Sequence, residues 1–189
     1  MREKGIDYFE NSRRATYANR DFCVENKNGW KGYDTHTWGL TACDGPVEKA
    51  NGWKNEIDGK KFRSYSARGT STIDGFDDGT IAPTAAGGSV PFAPEICIPA
   101  LKNMWEKHYE NLIGEYGFKD AFNLTYTYGE GNEQGWFDED YLGIDQGAIL
   151  IQVENHRSGL IWEVMKQNKY VVEGLKKAGF AGGWLEKTK

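Results

Sequence analysis

Apolar residues recur at helical spacing in several stretches of this chain and lie without period along one long stretch. Over residues 6–26, Phe9, Thr16 and Cys23 stand seven apart on one stripe, with Tyr8, Ala15 and Phe22 on the neighbouring one. That pattern predicts an amphipathic helix, and Asn26-Lys27-Asn28-Gly29 supplies its stop. Residues 94–113 repeat the pattern through Leu101, Met104, Trp105, His108, Tyr109 and Leu112. Pro94 suits the fixed φ of a first helical turn. A shorter helix is predicted over 116–124, followed by a Gly-rich loop to Gly143. Asp145 then reads as an N-cap, with Ile144 and Ile149 placed as a hydrophobic staple. Residues 148–153 are apolar nearly all round, which predicts a helix buried on several sides. Ser158-Gly159 breaks it, and two short helices follow at 160–166 and 169–178, the last stopped by Gly179.

Residues 28–93 form one long connection in which only 62–67 reads as a strand. A loop of that length is expected to be functional, and Trp30, Trp38, Trp53 and Tyr65 are too many aromatics for a disordered segment. The fold class is therefore all-α, about five helices with long Gly/aromatic-rich loops. If the helices alternate in direction, the acidic loops of the chain gather at one end.

Composition narrows the partners. At 189 residues the chain is expected to be a single domain. A net charge of −5 without a Lys/Arg cluster argues against a nucleic-acid surface. No apolar run approaches membrane-spanning length, so no membrane partner is expected. Cys23, Cys43 and Cys97 are odd in number and lack metal spacing, which argues against a disulfide framework or a zinc site. Cys23 and Cys97 fall in helical patterns and are expected to be core thiols. The N-terminus, Met1-Arg2-Glu3-Lys4, does not read as a signal peptide.

The candidate chemistry lies in acids placed beside aromatics. Asp77-Asp78-Gly79-Thr80 puts two carboxylates on a loop with no packing periodicity, and Glu95 follows at a helix start. Asp44 sits in the turn Cys43-Asp44-Gly45-Pro46. Asp138-Glu139-Asp140 is a like-charge run, solvated if exposed; buried together, such acids push one pKa up, as a general acid requires. Acid pairs with aromatic faces are what sugar cleavage needs. The expected catalytic set is Asp78, Asp77 and Glu95. The expected substrate-binding set is Asp44, Trp38, Tyr65, Trp136, Asp140 and His36, with no metal and no cofactor. Structural work competes for the same residues. Asp77, Asp78 and Asp44 fit turn-capping roles, Glu95 fits the helix dipole, and the aromatics fit loop packing.

Four motifs carry a resemblance: WGLTACDGP at 38–46, DDGTIAPTAAGGSVPFAPE at 77–95, YGFKDAFN at 116–123 and LGIDQGAILIQVENHRSGLIW at 142–162. In these the chain resembles the C-terminal half of the bacterial glycoamylase-like family, which includes endo-β-1,2-glucanases of glycoside hydrolase family 144. The resemblance implies about half of an (α/α)6 toroid, spanning 1–189 and lacking the toroid's N-terminal half. It implies acid/base hydrolysis of β-1,2-glucan or related glucooligosaccharides with inversion, in a parent protein that is periplasmic or secreted. Transglycosylation, suggested by related domains of cyclic β-1,2-glucan synthases, uses the same cleft. A non-catalytic glucan-binding or assembly module is the third reading. Self-association, or a complementary N-terminal half, is the partner that a half-toroid implies.

Overall fold

A computed structural model describes residues 2–3, 5–71 and 75–187. Its first helix, α1, spans Tyr8–Glu25. Asp7 caps it by accepting the Phe9 and Glu10 N–H groups at 3.1 and 3.2 Å. Asn26 ends it in the left-handed region, and its side chain holds both the N–H and the carbonyl of Trp30. A short helix α2, Pro83–Gly87, lies inside the long connection and leads to α3, Pro94–Leu112. Both place proline in their first turn, as φ ≈ −65° favours. The chain ends with α4, Gly143–Ser158, α5, Leu160–Lys166, and α6, Lys169–Lys177. The break between α4 and α5 falls at Gly159, φ 73°.

Two expected elements differ. Residues 116–124 are not helical: Ile113–Gly114 pairs with Gly117–Phe118 in a tight hairpin, and Phe122–Asn123 pairs with Trp136–Phe137. Gly117 at φ 102° cannot continue a helix, and the Phe122 and Phe137 rings stack across the second ladder at 5.6 Å. Within 62–67 only the end is strand, where Ser66–Ala67 pairs with Ala42–Cys43. The molecule is thus mostly helical, with short two-stranded ladders rather than helices alone.

The core forms where the inner side of α3 (Cys97, Ala100, Met104) meets loop segments that run side by side. Ile81 exchanges backbone hydrogen bonds with Phe122, and Ala82 donates to Gly39. Trp38, Ile81, Phe122 and Tyr126 are fully buried there. All three cysteines are buried free thiols. The other side of the molecule is less closed than the sequence predicts. Ile144 is 81% exposed and Leu150 72%, with Ile151 and Val153 also exposed. Only Asp145 and Asn155 of α4 are buried, so the helix is not enclosed on several sides and there is no Ile144 staple.

Candidate functional site

The ladders bring four aspartates together. Phe122–Asn123 and Trp136–Phe137 extend past their paired residues: Asp138 N–H donates to the Ala121 carbonyl at 2.9 Å, and Asp120 N–H to the Asp140 carbonyl at 3.1 Å. This register sets Asp120 and Asp138 on adjacent strands. Asp44 leaves the Ala42–Cys43 strand, and its N–H donates to Asp120 Oδ2 at 2.7 Å. Asp44, Asp120 and Asp138 each place an oxygen within 4.8 Å of the other two. Asp145, in the first turn of α4, sets its carboxyl against that of Asp120. It is not the N-cap: the helix starts at Gly143 after Leu142.

Burial and mutual repulsion determine the electrostatics. Asp120, Asp138 and Asp145 are buried, and among the described residues no group donates a hydrogen bond to Asp120 Oδ1, Asp138 Oδ2 or Asp145 Oδ2. Burial, reinforced by Asp145 and Asp138, pushes Asp120 up to about 7 against the opposing Asp44 N–H. Burial, with Asp44 and Asp140, pushes Asp138 up to about 6, although the Asp140 and Glu139 N–H groups favour its ionised form. Asp44 is half-buried and also raised, by burial and then by Asp140. Asp140 is exposed beside them. The cluster is a store of protons near neutral pH at a partly open edge, the environment that makes a carboxylic acid a proton donor. The triad Asp44, Asp120 and Asp138 is also the set with oxygen spacing suited to a metal ion among the described residues.

Asp78 lies underneath and does different work. Arg68 donates to it through Nε at 2.7 Å and Nη2 at 2.8 Å, and neither side chain reaches solvent. The Arg63 and Thr80 N–H groups complete its partners. Arg68 also donates to the Cys43 carbonyl at 2.8 Å, so this ion pair anchors the strand that delivers Asp44. A carboxylate with four donors and no exposure cannot meet a sugar, so the structure moves Asp78 from the expected catalytic set to a supporting one. Asp77 is similarly engaged, by Trp30 Nε1 at 2.5 Å, Tyr33 OH at 2.6 Å and Gly79 N–H at 3.1 Å. Glu95 accepts from Tyr17 OH and from Arg13 on α1, and the Tyr17 bond holds its carboxyl below the usual value. Both of these bonds run to α1 and neither reaches the aspartates.

The expected sugar platforms divide. Trp38 is fully buried and Trp136 nearly so, with its Nε1 bonded to Glu48 at 2.9 Å, so neither ring offers a face to a ligand. Tyr65 is 65% exposed and precedes Ser66, which pairs with Cys43 beside Asp44. His36 is exposed, but its carbonyl is held by Asn103 of α3, away from the cluster. Sequence reasoning missed Asp120, which sits in a segment read as helix, and Arg68. For Asp120 the local sequence held no signal, because Phe118, Ala121 and Phe122 stand at the i, i+3, i+4 spacing of a helix.

The Glycoamylase (glucoamylase) family model matches residues 1–169. The chain is 33% identical over 175 residues to an exo β-1,2-glucooligosaccharide sophorohydrolase (non-reducing end) of Parabacteroides distasonis, covering 93% of this chain and 21% of that protein. An endo-β-1,2-glucanase of Chitinophaga pinensis, solved with sophorotriose and glucose, superposes with a TM-score of 0.75 at 32% identity, over 96% of this chain and 37% of that one. A β-1,2-glucanase structure from Parabacteroides distasonis gives a TM-score of 0.74 at 32% identity, over 94% and 22%. The chain thus spans about a fifth of the length of the curated relative that it matches.

Proposed function

The chain belongs to the Glycoamylase family, and from that membership we propose that it carries part of the cleft of a glycoside hydrolase acting on β-1,2-linked glucooligosaccharides. In this reading its helices are part of an (α/α)6 toroid. The observation that carries the assignment is the juxtaposition of Asp44, Asp120 and Asp138, whose oxygens lie within 4.8 Å of one another. Three carboxylates so close cannot all ionise, and the burial of two of them favours protons over charge.

Asp44, the member with solvent access, donates its proton to the leaving glycosidic oxygen. Burial, with the neighbouring Asp140 and Asp145 carboxylates, favours its protonated form, and Asp140 accepts hydrogen bonds from sugar hydroxyls at the exposed edge. An inverting pair stands about 6.5–9.5 Å apart to admit a water. The three clustered aspartates are closer than that, so in this reading they act together as the acid. The water-activating carboxylate then stands across the cleft. Protonation and water attack need no redox or organic cofactor.

Product release from linear β-1,2-glucan, compared with α-1,4-, β-1,3- and β-1,4-glucans, tests the proposal. Turnover of the β-1,2 substrate that disappears in Asp44→Asn supports it. Turnover retained in Asp44→Asn removes the assignment of the acid. A second reading, a glucan-binding or assembly module without turnover of its own, is favoured in its assembly part by the exposed apolar face of α4, which marks an association surface. It predicts glucan binding by a folded chain that releases no product.

A further inference from the structure

We propose that Tyr116 is a sugar-stacking platform serving the aspartate cluster, to which Tyr141, the chain neighbour of Asp140, links it. This deepens the glucooligosaccharide reading of the same site and rests on it. Tyr116 stands with Glu115 at the tip of the hairpin formed by Ile113–Gly114 and Gly117–Phe118. Hairpin tips ordinarily take Gly, Asn or Asp, whereas this one carries a tyrosine that is 65% exposed. A ring so exposed leaves most of its surface open to a ligand.

The ring is nevertheless held. Tyr141 braces it at a centroid distance of 5.4 Å with the planes at 86°, the edge-to-face geometry that aromatic quadrupoles prefer. Tyr141 in turn lies across the hairpin where Gly114 has no side chain; a Cβ there would collide with the Tyr141 hydroxyl. Gln146 of α4 donates from Nε2 to the Phe118 carbonyl, which ties the hairpin to the helix turn that carries Asp145. Lys119 N–H donates to the Leu112 carbonyl at 2.9 Å and closes the hairpin base.

Each of these ties leads back to the acids. Tyr141 follows Asp140, Gln146 follows Asp145, and Asp120 lies two residues beyond the hairpin. The brace and the cluster are therefore one mechanical unit. A pyranose offers an apolar C–H face and a rim of hydroxyls. The cluster and Asp140 serve the rim, and a fixed, open tyrosine ring serves the face. Because the ring is already braced, little conformational entropy is lost when sugar covers it.

Fluorescence titration of the 189-residue chain with linear β-1,2-glucooligosaccharides of increasing length tests this without requiring turnover. Tyr116→Ala is expected to weaken binding by about tenfold, the scale of one lost aromatic contact, while Tyr116→Phe stays close to the parent. Tyr65→Ala should weaken binding separately, with both losses largest for the longer oligosaccharides. Unfolding curves for each variant separate a lost contact from a lost fold. Parent-like affinity in folded Tyr116→Ala overturns the proposal, as does a loss in Tyr116→Phe equal to that in Tyr116→Ala. Binding that depends on Tyr116 but yields no product would sink the hydrolase reading and leave the platform standing. Product release with unchanged Tyr116→Ala affinity would sink the platform alone. A folded parent that binds no oligosaccharide overturns both.

Discussion

Arg68 and Asp78 form a two-point ion pair at 2.7 and 2.8 Å with no solvent on either side chain, directly beneath the strand that carries Asp44. The pair fixes backbone as well as charge, because Arg68 also binds the Cys43, Ser66 and Ser64 carbonyls. Removing one partner leaves the other charged, buried and unpaired. Asp78→Asn or Arg68→Ala should therefore destabilise the chain by roughly 3–5 kcal/mol. Urea unfolding followed by circular dichroism would check this. A variant within about 0.5 kcal/mol of the parent, the level of an ordinary surface substitution, would contradict a structural role for the pair.

The aspartate cluster makes stability depend on pH with a definite sign. Asp120 titrates near 7 and Asp138 near 6 in the folded chain, above the ordinary carboxylate value of 3.8. Between those limits the folded state binds more protons than the unfolded one, so stability falls as pH rises. The contribution is intact below about pH 4 and is lost by the time pH passes 7. Asp120→Asn removes the buried charge that forms at high pH. It should raise stability at pH 7.5 by on the order of 1–3 kcal/mol relative to its effect at pH 4.5. Unfolding midpoints at the two pH values provide the measurement, and an equal effect at both would rule out a raised Asp120.

The apolar residues that α4 and α5 leave in water should make the chain sticky. Ile144, Leu150, Leu160 and Val164 are all more than half exposed, and apolar faces of this kind mark association surfaces. Light scattering is expected to show concentration-dependent self-association, reduced by Leu150→Lys with Val164→Lys. Monomer at all concentrations would mean that the face needs no cover.

Much of the helical frame was legible because its signals are local. The boundaries of α1 and α3 follow from Asn26 and Pro94, and the α4–α5 break from Ser158-Gly159. The segment 116–124 reads as a helix because Phe118, Ala121 and Phe122 stand at the i, i+3, i+4 spacing of one. What decides it is Gly117 at φ 102° and pairing with residues 136–137, a partner distant in sequence. The same limit applies to the site. Asp44 and Asp140 could be named as loop acids, and a pKa raised by joint burial was anticipated for the run that contains Asp138. Asp120 could not be found without the strand register that turns it toward Asp44. Asp78 looked catalytic because its buried partner, Arg68, is ten residues away in a loop with no helical or strand period.

In the proposed reaction the clustered aspartates supply the acid of a β-1,2-glucan hydrolase, with Asp44 at the point of contact. The most direct test is product release from linear β-1,2-glucan by the parent chain and by Asp44→Asn, both shown to be folded. Turnover confined to the β-1,2 linkage is expected, with a loss of at least about 100-fold in Asp44→Asn, the scale of a general acid. Equal rates in the two proteins would contradict it.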